Sequence, residues 1–594
     1  MTYSPPPPIV KALLPFVRRF LAHKFHLVFG IAAVPLMAVC DIWITVKIAG
    51  AIDRLEGSGD TSFVPNFLAG LFALAVGHSI FRFFQRWLIV GVSRRFERDL
   101  KQELFDRLIR LSFRFHDKSR SGDVVTRLTS DIENIRITLG PGTLMYVLNA
   151  MVIVPGSLWV LMQIAPLLTF CMVVPLLGVT LVIKTMARRL HRLSTDVQER
   201  QSDLGHRAQE SFGGMRVVKA YGLGARESQA FSQLSLASAA ASVEMAKARG
   251  VMQALINLAH NLAFLPILFV GGIAMIDRTI EAGELFTFVD LANKAFWPVI
   301  ALGWMAGLVP RAIASAERVQ TLIDERSEIE EAASPVRRDE LDGSLDLERV
   351  SFRYPGAARR AVDNVSVKVR AGETLGIVGP TGSGKSTLLA LVGRLYEADG
   401  TIKLDEWPLR EIAFETLRRS IAYVPQDGFL FSASYRENLL FGSAEPVEDD
   451  VLLELVRQAG LAEEVSEFPD GLDQVIGERG VTLSGGQRQR SCIARALAAD
   501  PRILILDDAL SAVDTETETL LVGNLERAGR GRTVLVAAHR LGTVRHADEI
   551  LVLEEGRVAA RGTHDELLER SPWYRRTWDH QRMVEKLSGE LEEL

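Results

Sequence analysis

An α-helical membrane domain followed by an α/β domain is the fold class this 594-residue sequence predicts, and three observations carry it. Six apolar segments precede residue 330, near 26–52, 63–92, 138–164, 166–187, 248–276 and 285–311. Each is long enough to cross about 30 Å of hydrocarbon as a helix, and buried helices of a soluble core would not explain six such lengths. After residue 345 the pattern changes to short apolar runs typical of buried strands, one of which leads into LGIVGPTGSGKST at Leu375–Thr387. Finally, 48% hydrophobic residues alongside 24% charged ones describe two unlike halves in one chain. Such a length exceeds what one core supports and predicts several domains: an interfacial helix over 1–25, a membrane domain over 26–325, a linker over 326–345, a soluble domain over 346–580 and a helical tail over 581–594.

Met1–Pro8 is polar and proline-rich, so no signal peptide is expected there. Ile9–Lys24 mixes apolar residues with Arg18, Arg19 and Lys24, as a helix lying in the membrane interface would. Short loops join segments 1 to 2, 3 to 4 and 5 to 6, whereas long charged stretches join 2 to 3 and 4 to 5. Those stretches are helical in pattern: Phe96, Leu100, Leu104, Leu108 and Leu111 recur at spacings of four and three. They are rich in arginine (Arg94, Arg95, Arg98, Arg107 and Arg110 in one, Arg188, Arg189 and Arg192 in the other), whereas Asp53, Glu56, Asp60, Asp277, Glu281 and Glu284 mark the short loops. By the positive-inside rule the N-terminus and the long stretches lie in the cytoplasm, with the helices continuing beyond the bilayer on that side.

Asp41, Lys47, His78, Asp290 and Lys294 interrupt the apolar runs. Ionisable groups at that depth are costly and tend to face a cavity or a partner. Asp290 and Lys294, four apart, share a helix face and can pair. Lys47 and Asp290 either snorkel near their helix ends or belong to a substrate path; both readings stand. Pro266 and Pro298 are candidate kinks.

The chemistry is concentrated after Leu345. Gly379-x4-Gly384-Lys385-Ser386 fills every fixed position of the P-loop pattern, between a buried strand and a helix. In Gly379, Pro380, Thr381, Gly382, Ser383 and Gly384 the glycines let backbone N–H groups close on phosphate oxygens, and the helix opening at Lys385-Ser386-Thr387 turns its positive end to the anion. Lys385 would reach the β- and γ-phosphates and the Ser386 hydroxyl would ligand Mg²⁺, so ATP with Mg²⁺ is the expected nucleotide. Gln426, closing the strand of Tyr423-Val424-Pro425, is a neutral oxygen ligand suited to Mg²⁺ or the attacking water. Ser484, Gly485, Gly486 and Gln487 open a helix and make a second anion site. Arg502–Asp507 is a buried strand ending in the carboxylate that holds Mg²⁺, and Asp508 follows where a base or water-orienting group would sit. His539 ends the strand Val534–Ala538 at the sheet edge where ligands gather, which favours a γ-phosphate contact over a structural role. Tyr354 stands where it would stack on adenine or simply pack.

These residues in this order resemble the ATP-binding cassette family, in the exporter half-transporter form with a six-helix domain first and the cassette second. The resemblance spans the whole chain. LSGGQ at 483–487 is its most specific motif, Ser511-Ala512-Val513-Asp514 is similar to the D-loop, and Gly477-Glu478-Arg479-Gly480 to a loop peculiar to exporters. It implies two cassettes facing head to tail, each ATP held by one P-loop and the other chain's LSGGQ, so that Asp514 also belongs near the site. It further implies that Tyr354 stacks on adenine, Gln426 is the Q-loop residue, His539 the switch histidine, and that segments near Phe113–Gly122 and Ser211–Gly222 are coupling helices. The partner implied is a second half-transporter in the bilayer, and the substrate a hydrophobic or amphipathic small molecule or peptide. The location implied is a cell inner membrane with cytoplasmic cassettes.

One position departs from the family pattern: glutamate normally follows the Walker-B aspartate, and this chain has Asp508. One methylene less moves the carboxylate roughly 1 Å from the water it should orient, which can cost about 10²-fold in rate. That favours pairing with a different, Glu-bearing subunit over a self-sufficient homodimer. An exporter-shaped importer or ATP-gated protein stays open. A soluble repair or translation ATPase is argued against by the six apolar segments. The net charge of −5 gives no sign of nucleic-acid binding. Cys40, Cys171 and Cys492 have no metal-like or disulfide-like spacing.

Overall fold

Long apolar runs leave the backbone one way to satisfy its polar groups without water, the helix. The computed structural model describes residues 9–58, 61–338, 340–443, 446–477, 483–513, 515–528 and 531–592. They form two compact units, Met1–Ile109 with Arg120–Glu325, and Arg110–Ser119 with Arg326–Leu594.

The first unit is helical. A short α1 (Ile9–Phe20) leads through a 3₁₀ turn to α2 (Lys24–Ser58) and α3 (Val64–Arg110). Past α4 (Phe113–Lys118), which belongs to the other unit, come α5 (Ser121–Thr126), α6 (Ile132–Ile137), α7 (Leu144–Ile164), α8 (Pro166–Gly213), α9 (Met215–Ala220), α10 (Gly224–Ile276) and α11 (Ala282–Asp324). The six expected segments lie in α2, α3, α7, α8, α10 and α11. The third is shorter than expected: its start, 138–142, is a π-helical turn kinked at Gly140 (φ −112°, ψ −106°), and Leu144 opens a fresh helix. Ser93 explains the glycine, since a Cβ at Gly140 would sit 2.7 Å from the Ser93 Cβ. α10 and α11 run through Pro266 and Pro298.

The periodic face of α3 is buried as its spacing predicts, Phe96, Leu100, Leu104 and Leu108 all being enclosed. Beside it, Glu97 gathers Lys101 (2.8 Å), Arg94 (2.9 Å) and Arg136 (3.2 Å). Burial alone would raise its pKa, but these cations outweigh that and hold the carboxyl below the usual range. Toward the short-loop end, Leu161, Leu168, Ile267, Phe288 and Leu291 form an apolar core. Asp53 Oδ1 accepts from the Gly283 N–H at 2.6 Å, placing a carboxylate at the N-terminus of α11.

Two sheets organise the second unit. β1 (Leu345–Phe352), β2 (Val362–Val369), β4 (Asp399–Leu404) and β5 (Trp407–Pro408) form an antiparallel sheet ordered β2-β1-β4-β5. The larger sheet, ordered β10-β9-β3-β8-β7-β6, joins β3 (Thr374–Val378), β6 (Ile421–Val424), β7 (Ile503–Asp507), β8 (Thr533–Ala537) and β9 (Glu549–Glu554) in parallel, with β10 (Arg557–Gly562) antiparallel on its edge. The apolar runs read as buried strands are β3, β7 and β8. Around them lie α12 (Lys385–Val392), α13 (Phe414–Ser420), α14 (Tyr435–Leu440), α15 (Asp449–Gln458), α16 (Ala462–Ser466), α17 (Gly485–Ala498), α18 (Thr515–Ala528), α19 (His564–Arg570) and α20 (Pro572–Glu592). The expected tail from 581 has no break of its own: α20 runs on from Pro572, and Gln581 donates to the His539 carbonyl at 2.9 Å. The linker lacks periodicity but is tied down, Glu331 accepting from the Phe414 N–H at 2.9 Å.

Candidate nucleotide site

Parallel strands deliver their carboxyl ends to one edge of the sheet, and β3, β7 and β8 are neighbours there. β3 feeds Gly379–Gly384. Gly379 (φ +152°) has the Leu553 carbonyl oxygen 2.1 Å from where a Cβ would be, and Gly384 (φ +102°) the Ala361 carbonyl oxygen at 2.2 Å, so no side chain fits at either. Pro380 closes the turn by accepting from the Ser383 N–H at 3.1 Å, with Thr381 and Gly382 at its apex. Lys385 is buried, and its ammonium donates to the carbonyls of Gly379 (2.9 Å) and Pro380 (3.2 Å). Burial pushes its pKa down, and the Asp508 and Asp507 carboxylates partly oppose this.

Ser386 donates to Asp507 Oδ1 at 2.7 Å, and the Tyr423 hydroxyl donates to Asp507 Oδ2 at 2.9 Å. A hydroxyl and a carboxylate side by side are the hard oxygen donors a Mg²⁺ ion prefers. Ser383 Oγ is buried in the turn without a hydrogen-bond partner, a donor left for a phosphate oxygen. The residues present therefore fit a Mg²⁺-nucleotide.

Asp508 follows β7 with a left-handed backbone (φ +48°), its N–H bonded to the Ala537 carbonyl at 2.9 Å. Its carboxylate accepts from the Gln426 amide at 3.2 Å and from the His539 backbone N–H. Burial raises the Asp508 pKa, while His539 and Lys385 pull the other way. Lys385, Ser386, Gln426, Asp507, Asp508 and His539 are thus brought together at one edge.

Other expected residues stand apart. The Tyr354 ring packs edge-on against Phe352 (4.9 Å) and Tyr396 (5.5 Å), and its hydroxyl shares a hydrogen bond with Thr387 at 3.2 Å. Ser484 caps α17 in a reciprocal box with Gln487: the Gln487 N–H reaches Ser484 Oγ at 3.2 Å and the Ser484 N–H reaches Gln487 Oε1 at 2.9 Å. Gly485 and Gly486 open that helix, where a Cβ at Gly486 would meet the Ala512 carbonyl at 2.8 Å. From α17, Gln489 donates to the Gln426 carbonyl at 2.9 Å and accepts from the Ala512 N–H at 3.1 Å, tying the helix that follows LSGGQ to the segments of Gln426 and Ala512. Asp514 and Glu478–Gly480 lie outside the described residues.

Two participants were not read from the sequence as such. Tyr423 reads in the sequence only as part of a strand; β6 lies beside β7, and from there its hydroxyl reaches Asp507. Tyr396 donates to Asp117 on α4 and meets Phe113 edge-on at 6.0 Å, while Arg114 pairs with Glu328; α4, at the first expected coupling segment, is therefore seated within this unit.

Comparison with known proteins agrees with this geometry. Residues 27–299 match the family model for the ABC transporter transmembrane region, and residues 362–511 that for the ABC transporter domain. The chain is 32% identical to the probable multidrug resistance ABC transporter ATP-binding/permease protein YheI of Bacillus subtilis, over 95% of this chain and 97% of that protein. It is 33% identical to the multidrug resistance-like ATP-binding protein MdlA of Escherichia coli (87% of each) and to the ATP-dependent lipid A-core flippase of Nitrosococcus oceani (86% and 85%). Among solved structures, a bacterial Atm1-family ABC exporter with ATP bound superposes with a TM-score of 0.76 at 25% identity, over 97% of this chain and 100% of that one. With its helical membrane region and its nucleotide-binding domain fused in one polypeptide, the chain belongs to the ABC transporter family.

Proposed function

We propose that this chain is one subunit of an ATP-driven exporter in a bacterial inner membrane, with its N-terminus and cassette in the cytoplasm. The observation that carries it is the convergence of Lys385, Ser386, Asp507 and His539 at one sheet edge of a chain whose other half is membrane-helical. The relatives named for multidrug resistance and lipid A-core flipping support a hydrophobic or amphipathic substrate.

On ATP binding Lys385 would exchange its carbonyl partners for β- and γ-phosphate oxygens, and Ser383 would gain the acceptor it lacks. Ser386, Asp507 and Gln426 would hold Mg²⁺, which supplies Lewis-acid neutralisation of the phosphate charge. Tyr354 would leave its aromatic cluster to stack on adenine, and His539 would contact the γ-phosphate. Ser484–Gln487 and Asp514 would act across the dimer on the partner's nucleotide. Exposed Phe212, Val217 and Tyr221 around α9 suit burial against a second cassette. Closing of the cassettes would then turn the membrane cavity outward.

We further infer that the partner is a different chain carrying glutamate at the position of Asp508. This chain's intact LSGGQ would complete the partner's competent site, while its own would be slow. A second reading, a homodimer in which aspartate suffices, is favoured by the left-handed backbone at 508, which aspartate adopts more readily than glutamate. The deciding measurement is ATP hydrolysis by this chain purified alone in lipid, with nucleotide binding checked in the same sample. Binding with background turnover supports the heterodimer; brisk turnover overturns it. Loading of inside-out vesicles with ATP outside tests export.

A further inference from the structure

We propose that the helical unit holds an anionic phospholipid of the surrounding bilayer in a cavity between α2, α3 and α7. The cavity measures about 910 Å³ and opens along Val39–Arg54 of α2, the first turns of α3 and Gly156–Val160 of α7. All three stretches lie toward the short-loop end of their helices, so the orientation proposed above puts the site in the outer leaflet.

Its chemistry follows a lipid's own polarity gradient. Arg54 and Lys47 line it seven residues apart on one face of α2, about 10 Å along the axis. Arg54, at the mouth, lies 5.6 Å over the Phe63 ring. Deeper, Trp43, Phe67 and Trp159 give an aromatic wall for an acyl chain. Among the described residues no aspartate or glutamate lines the cavity.

Lys47 decides the sign of the ligand. It lies five residues inside the expected apolar segment ending at 52, about 8 Å, and has no hydrogen-bond or ion-pair partner among the described residues. A cation at that depth is stabilised by a counter-ion. Snorkelling does not remove the need, because the stem still runs along the cavity wall and lifts the ammonium to phosphate level. Glycines make the room: a Cβ at Gly50 or Gly70 would meet no atom within 4 Å.

The proposal rests on the membrane reading of this unit and not on ATP-driven export, so its test involves no ATP. The full-length chain, purified from membranes in mild detergent, is incubated with equal amounts of phosphatidylglycerol and phosphatidylcholine of matched acyl chains, and retained lipid is counted by native mass spectrometry. Phosphatidylglycerol should be kept at least five-fold over phosphatidylcholine, whose choline cation cancels the phosphate. Lys47→Gln should bring that ratio to near one, and Lys47→Arg should keep it. Gly70→Leu, which grows into open space, should reduce retention of both lipids. Excess soluble glycerol phosphate should displace neither. Equal retention by the wild type, a preference that survives Lys47→Gln, undiminished retention of both lipids by Gly70→Leu, or displacement by glycerol phosphate alone would overturn the proposal.

Discussion

Gln426 donates its side-chain amide to the carboxylate of Asp508 across 3.2 Å, so the two residues expected to position water are held against each other. A carboxylate one methylene longer would reach further past Gln426 toward the γ-phosphate. Asp508→Glu is therefore expected to raise phosphate release by this chain alone about ten-fold or more, within the roughly 10²-fold range of an ångström-scale misplacement. Strain at φ +48° takes part of the gain. An Asp508→Asn variant should match the wild type. If Asp508→Asn instead abolishes a robust wild-type turnover, the aspartate is a working catalytic group.

Tyr423 completes the coordination of Asp507 from the side opposite Ser386. Hydrogen bonds to a charged group are worth about 1.5–3 kcal/mol, enough to fix which oxygen faces a metal ion. Tyr423→Phe should leave ATP binding without Mg²⁺ unchanged and raise the Mg²⁺ concentration for half-maximal effect about ten-fold. A titration of nucleotide binding against Mg²⁺ reads this directly, and an unchanged midpoint would remove Tyr423 from the site.

What the sequence made legible was whatever is local. The P-loop, the caps of α17 and the buried strands are each set by residues within a few positions of one another, and the Asp290–Lys294 pair is set by helical spacing (2.8 Å). What stayed hidden was tertiary. Asp41 joins that pair from 253 residues away, and Asp117 meets Tyr396 across 279. No periodicity reports such partners. Gly140-Pro141-Gly142 is a break signal that the reading of one continuous apolar segment leaves unused, and the close approach of Ser93 that requires glycine at 140 comes from another helix.

The membrane triad makes an asymmetric prediction. Lys294 pairs with Asp41 Oδ1 at 3.1 Å and Asp290 Oδ2 at 2.8 Å, and also donates to Thr45 Oγ at 2.8 Å. Removing the one cation strands two carboxylates in the bilayer, whereas removing one carboxylate leaves a matched pair. Lys294→Gln should destabilise the chain in lipid by about 3 kcal/mol or more, and Asp290→Asn by much less. Thermal midpoints in nanodiscs would show it; equal shifts would mean the triad is solvated.

His564 gives the cassette a pH dependence whose sign is fixed by its surroundings. Its Nδ1 shares a hydrogen bond with the Tyr574 hydroxyl at 2.8 Å, and its ring lies edge-on to Trp578 at 4.6 Å. Burial lowers its pKa below the ordinary 6.5, with Arg545 and His546 adding to the effect and Asp565 opposing it. The unfolded chain therefore takes up the proton first. The stability this contributes is complete above the unfolded pKa and is lost as pH falls from about 6.5 toward the lower folded value. Unfolding of the cassette in the full chain, followed by tryptophan fluorescence, should shift to lower temperature between pH 7 and pH 5.5. His564→Gln, which cannot charge, should flatten that slope while lowering stability at pH 7. A slope unchanged by the substitution would place the acid sensitivity elsewhere.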